Sequence, residues 1–400
     1  MTTEEKTPLQ ALNPFMPGAG IQPPALVGRG KDLETVDRMI ARTKLHGLDR
    51  GIIFSGLRGV GKTVLLVKLQ EMATDKKIFT ARIEASGDTD ADYDAIFHEI
   101  DMAAAKMRLG DLRKKIASMM SNFGSISFNA FGIGAGLSRN ESKQLPSNQF
   151  RLELLIESVV TKLRKRDSGL YLFIDELQEM DADLLGVLVS IQHKMGQQSM
   201  PFYIIGAGLP NLPRILSKSR SYAERLFEYR TIGQLNDEDA AAGFQKPAQR
   251  NGRPFADDAL KELVRISRGY PYFIQAYGKA AWNASGSNPT PLQAVMESES
   301  AAREELDEGL YSSRWQRATA LGRQYLTTMA KIGGESPSLT SDVARQLGKT
   351  LGDVSMARNE LIRLGLIYSP ERGKVAFTVP GMGDFILRTT PADEQTYDGR

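Results

Sequence analysis

Four hundred residues exceed what one hydrophobic core organises, so the chain is expected to be modular. It is 41% hydrophobic and 25% charged, as in a globular protein folded in water, and 51 Lys and Arg against 48 Asp and Glu leave a net charge of only +3, so a basic surface must be local. The absence of Cys excludes disulfides, thiolate nucleophiles and cysteine metal sites, and His46, His98 and His193 are too scattered for a histidine metal site.

No apolar run reaches the roughly 18 residues that span a bilayer, and the start Thr2-Thr3-Glu4-Glu5 is unlike a signal peptide, so a cytoplasmic location is expected. Residues 1–25, with five prolines and two glycines and no apolar period, read as a tail or strap. Leu33, Val36, Met39 and Ile40 recur at helical spacing. Gly51 to Ser55 is a short apolar run bounded by glycine, as a buried parallel strand requires. A helix from Lys62 to about Ala73 and a strand over 77–83 complete a βαβ unit.

Helices are expected over 92–117, with a break at Gly110, and over 149–165. Between them an insert hairpin is expected at about 118–146. Its stretch 121–137 alternates Ile126, Phe128 and Ala130 with polar residues and then turns glycine-rich. It reads as a sheet-covering insert or as a tip that meets a partner, DNA or a membrane. Its Gly132, Gly134 and Gly136 lack the βαβ frame of a dinucleotide loop. Buried strands are expected at 170–174 and 201–205 around a helix over 183–196, with a last strand at 230–235. Four helices follow, over 237–250, 256–267, 272–284 and 291–307, and a segment 315–390 carries three helical patterns and a short hairpin.

Two motifs carry chemistry. Gly56, Leu57, Arg58, Gly59, Val60, Gly61, Lys62 and Thr63, followed by Val64, satisfy G-x-x-x-x-G-K-[ST] between a strand and a helix. The glycines let backbone N–H groups approach phosphates, and the helix N-terminus adds its positive dipole end. Lys62 is expected on the β- and γ-phosphates of ATP, and the Thr63 hydroxyl on Mg²⁺. Leu170 to Ile174 then runs into Asp175 and Glu176. That pair is either a helix N-terminus or, with Lys62 upstream, a Walker B site in which Asp175 holds the Mg²⁺ shell and Glu176 polarises the attacking water.

On these motifs the chain resembles the AAA+ ATPases over about 26–385, in particular the origin-recognition-like clade and the related STAND and archaeal-type ATPases. The resemblance implies an α/β P-loop NTPase core with a parallel sheet over 26–235, a helical lid over 236–310, and a winged-helix domain over 315–390, with a tail at 391–400. It places Val27, Gly28 and Arg29 at the adenine pocket and Pro271, in Gly269-Tyr270-Pro271, beside the base. It also implies an arginine finger at Arg225, for which Arg220 and Arg230 compete, and hence a nucleotide-dependent homo-oligomer. Asn211 and Arg268 stand where the family carries its sensor residues, in an altered context that favours slow, switch-like hydrolysis.

In the winged-helix reading, Ser338, Thr340 and Ser341 are available as helix caps, and the hairpin tip is Glu371-Arg372-Gly373-Lys374. Residues 317–388 hold ten Arg and Lys against six acids, so this segment is more basic than the whole chain. Arg358, Asn359, Arg363, Arg372 and Lys374 are the expected contacts to double-stranded DNA. The same module also serves as a protein-docking surface, and the two functional expectations are an ATP-operated DNA-associated switch and a STAND-like signalling or defence ATPase.

Overall fold

The computed structural model describes residues 12–120 and 147–390. The hairpin expected within 121–137 and the tail 391–400 lie outside the described residues. The N-terminal half contains α1 (Gly30–Lys44), β1 (Gly51–Ser55), α2 (Lys62–Asp75), β2 (Phe79–Glu84), α3 (Thr89–Lys106) and α4 (Gly110–Met120). It continues through α5 (Asn148–Arg164), β3 (Leu170–Asp175), α6 (Ala182–Gln197), β4 (Phe202–Gly208), α7 (Leu212–Ser219), α8 (Ala223–Leu226) and β5 (Phe227–Thr231). Polar side chains open the helices: Asp88, Ser147 and Asp181 accept backbone N–H groups at the starts of α3, α5 and α6.

The five strands pair in parallel in the order β2-β3-β4-β1-β5. β1, β3 and β4 are buried at every position because helices cover both faces. On one face Val36, Met39 and Leu65 from α1 and α2 pack on Ile52, Phe54 and Phe173. On the other, Ile96, Leu155, Val159 and Leu188 from α3, α5 and α6 pack on Ile53, Leu172 and Ile174. Each such buried side chain contributes about 1.5–3 kcal/mol. The last strand begins at Phe227 rather than Arg230, because β5 is an edge: only part of it is buried, so its polar Glu228 and Arg230 mask it in the sequence.

The second half contains α9 (Asp237–Arg250), α10 (Asp257–Ser267), α11 (Pro271–Ala284) and α12 (Leu292–Leu306), then a π-helical turn over Asp307–Ser312. After it come α13 (Ser313–Arg317), α14 (Ala320–Gly333), β6 (Ser338–Leu339), α15 (Thr340–Gln346), α16 (Leu351–Arg363), β7 (Ile367–Tyr368), β8 (Lys374–Phe377) and α17 (Met382–Thr389). The three short strands form an antiparallel sheet in the order β6-β8-β7.

The first of the helical patterns expected within 315–390 is interrupted because Thr319 turns extended and caps α14, accepting from Gly322 N. The expected caps at Ser338, Thr340 and Ser341 are replaced as well. Leu339 precedes α15 without a side-chain cap, and it is α16 that carries a capping box, between Thr350 and Asp353. α17, beyond the hairpin, was not expected.

One continuous cluster, with Phe244, Phe273, Trp282, Tyr311, Tyr325 and Phe385, joins α9–α12 to the C-terminal unit. That unit also docks on the N-terminal half. Arg58 N donates to Thr378 O at 2.9 Å, an Arg214 Nη donates to Ser369 O at 3.0 Å, and Leu57 and Leu209 pack with Tyr368 and Ala376.

Candidate nucleotide-binding site

The loop after β1 takes its shape from its glycines. A Cβ on Gly56 would stand 2.0 Å from Ile232 O, and Gly59 and Gly61 have φ of +82° and +88°, which L side chains rarely adopt. The loop opens into the N-terminus of α2, where Lys62 and Thr63 occupy the first turn. Lys62 is buried, and its Nζ donates to Gly56 O and Leu57 O at 3.0 and 2.9 Å. Burial pushes its ammonium pKa down to about 8, against the opposing pull of Glu176 and Asp175, and the Arg58 charge adds to the fall.

Asp175 ends β3, buried, and its Oδ1 accepts Glu176 N at 2.9 Å. Glu176 is left-handed at φ +47°. Its Oε1 accepts from Arg58 at 2.9 Å, and its Oε2 accepts from Gln178 Nε2 at 2.5 Å. Gln178 Oε1 in turn accepts Leu209 N at 3.0 Å, tying this carboxylate to the end of β4. Arg29 is buried and donates to Val60 O and Gly233 O, which braces the loop against the exit of β5. Burial lowers its pKa, with Asp32 and Asp239 opposing.

A cavity lies over these groups. Val27, Arg29, Arg58 to Val64, Glu176 and Pro271 line it, whereas Gly28, Gly56, Leu57 and Asp175 do not. The start of α11 reaches it through Tyr272, whose N donates to Gly59 O at 3.3 Å. The residues present fit a polyphosphate. Arg29, Arg58, Lys62 and Arg314 face the cavity against the single carboxylate of Glu176, and Arg58 Nε is buried without a partner. Thr63 at the start of α2 and Asp175 at the end of β3 supply the oxygen donors that Mg²⁺ prefers.

Other expected residues lie elsewhere. Arg268 is exposed and pairs with Asp384 at 3.2 Å rather than entering the cavity. Asn211 precedes α7 without capping it, and its Oδ1 is buried and unpaired. Arg230 is committed to Asp32, Glu228 and Thr35, while Arg220 and Arg225 are exposed. In the C-terminal unit Arg363 pairs with Glu360 and Lys374 with Glu371, Arg358 bonds Asn359 Oδ1, and Arg372 is exposed.

Sequence reasoning missed the Arg58–Glu176 pair, Gln178, Tyr272, Arg314 and the strap residues Met16 to Ala25 that form one wall. The only signal for the strap was its Pro and Gly content; none of the others has one.

Residues 25–205 match the model of the AAA ATPase domain, and residues 308–386 match the model of a domain of unknown function. No curated protein matches the chain. Among solved structures, the chain is similar to a Walker-type ATPase of Pyrococcus abyssi, at 13% identity and a TM-score of 0.55, covering 94% of this chain and 99% of that one. It is also similar to the Aeropyrum pernix ORC1 protein in complex with DNA, at 16% identity and a TM-score of 0.46, covering 97% and 98%. The Thermotoga maritima RuvB Holliday junction branch migration motor matches at 15% identity and a TM-score of 0.45, covering 91% and 96%. The fold is that of a P-loop NTPase of the AAA+ type with a helical C-terminal region.

Proposed function

We propose that the chain binds Mg-ATP and acts as a slow ATP-hydrolysing switch whose C-terminal unit, a winged helix, meets DNA. One observation carries the reading: Lys62 and Thr63, Glu176, and Pro271 come from three separate segments and line one cation-rich cavity above the C-terminal edge of a parallel sheet, with Asp175 next to Glu176 at the end of β3. Lys62 and the loop N–H groups would hold the phosphates, Thr63 and Asp175 the Mg²⁺, and Glu176 would take the proton of the attacking water. The metal supplies charge neutralisation of the phosphates when bound.

The contact between Arg58 N and Thr378 O supports the switch, because the loop that holds nucleotide also holds the C-terminal unit. Lys62→Ala is expected to abolish ATP binding by isothermal calorimetry, since it removes the lysine of the phosphate cradle. Unchanged affinity would overturn the site.

Arg358, Asn359 and Arg372 are the side chains left to meet DNA. A second reading, a STAND-like signalling ATPase that docks protein, is favoured by Leu351 and Met356, 55% and 82% exposed on α16, and by the pairing of Arg363 and Lys374 with neighbouring carboxylates.

A further inference from the structure

Three of the four cations on the cavity wall are engaged by the ATPase half itself: Arg29 and Lys62 by loop carbonyls, and Arg58 by Glu176. Arg314 differs in origin. It stands on α13, beyond the lid, where the wide turn Asp307–Ser312 delivers it and Leu310 to the same cavity. Its guanidinium donates to Leu310 O at 2.5 Å, one turn back on its own segment, and among the described residues it has no carboxylate at ion-pair distance.

Its surroundings are cationic. Burial lowers its pKa, Arg58 and Arg317 lower it further, and Tyr272 and Tyr311 oppose the fall. Arg58 precedes Gly59, whose O accepts Tyr272 N, and a Cβ on Gly309, in the turn before α13, would meet the Tyr272 hydroxyl at 4.0 Å, so the segment that carries Arg314 approaches the phosphate-loop side of the cavity. A partly buried guanidinium among like charges is unfavourable until an anion joins it, and its planar fork matches phosphate oxygens.

We propose that Arg314 is a phosphate ligand of the bound nucleotide, contributed by the C-terminal unit, and that through it the nucleotide clamps that unit to the phosphate loop. The inference rests on the ATP reading of the cavity. α13 belongs to the body that already touches the loop through Thr378, Tyr368 and Ala376, so an anion shared by Lys62, Arg58 and Arg314 draws both halves together. Without it, Arg58 and Arg314 repel each other across the same contact. Because binding and docking are linked, anything that pulls the C-terminal unit away weakens nucleotide affinity by the same factor.

The test compares wild type, Arg314→Ala, Arg314→Lys and Lys62→Ala by calorimetry with ATP and with ADP, and follows hydrogen exchange in β8. Arg314→Ala is expected to weaken ATP about tenfold or more, with Arg314→Lys recovering part of the loss. ATP is expected to slow exchange in β8 of the wild type and to leave Arg314→Ala unchanged. If Arg314→Ala melts well below the wild type without nucleotide, Arg314→Gln, which keeps a donor for Leu310 O, carries the comparison. Wild-type ATP affinity in the neutral variant, with Lys62→Ala unable to bind, overturns the proposal and leaves the site standing. ATP binding retained by Lys62→Ala overturns the site itself.

Discussion

Glu176 is held from three directions. Its φ of +47° costs an L residue of order 1–3 kcal/mol, and Arg58 and Gln178 occupy both of its carboxylate oxygens. The pairing with Arg58 joins a group of the phosphate loop to the group proposed to activate water, so a phosphate that attracts Arg58 also frees Glu176. Glu176→Gln keeps the shape of the side chain and removes the base. It is expected to bind Mg-ATP as the wild type does and to hydrolyse it at least roughly tenfold more slowly. Equal turnover in a steady-state phosphate-release assay would assign the water to another residue.

Among the elements, the strap is the one whose role depends most on a single side chain. Phe15 is 2% exposed, and its ring packs 6.3, 6.0 and 6.4 Å from those of Phe244, Phe255 and Trp282. Gly278 makes room for it, since a Cβ there would lie 2.6 Å from the ring. Asn13, bonded to Lys279 O, and Gln22, bonded to Val64 O, fix the strap from the lid to α2. Phe15→Ala is expected to cost about 3 kcal/mol in urea denaturation. It is also expected to weaken ATP binding several-fold, because Gly18 to Ile21 form a cavity wall. Full stability in the variant would reduce the strap to a loose covering.

For the molecule as a whole, the surface at Arg225 decides between solitary and assembled action. Arg225 is exposed beside the edge strand β5, where a neighbouring copy can receive it. If it acts as a finger, turnover per chain rises with protein concentration, and Arg225→Ala loses that rise while keeping ATP affinity. Turnover independent of concentration would leave it a surface residue.

Of the expected DNA contacts, Arg363 and Lys374 have carboxylate partners, and Arg358 and Arg372 are the cations without one among the described residues. Neutralising both is expected to flatten the log-log salt dependence of duplex binding by about two units. A wild type with no DNA affinity at low salt, with ATP or ADP bound, would favour the protein-docking reading.

The sequence by itself determined the features whose physics is local. The Gly56–Thr63 loop is legible because closely spaced glycines, a lysine and a following helix build a phosphate cradle from contiguous backbone. Asp175 and Glu176 are legible because two adjacent carboxylates closing an otherwise apolar strand form a contiguous pattern. Helical periods located most of α1–α12 within a few residues and failed where a polar cap interrupts an apolar run, at Thr319, while the apolar-run signal for strands misplaced the partly exposed edge β5.

Tertiary structure alone decided the rest. The Arg58–Glu176 pair, the strap wall and Arg314 join residues more than a hundred positions apart, with no shared period or motif. Their chemistry exists only because the lid and the C-terminal unit share one core and press it against the phosphate loop, and side-chain meetings of that kind leave no trace in the order of the chain.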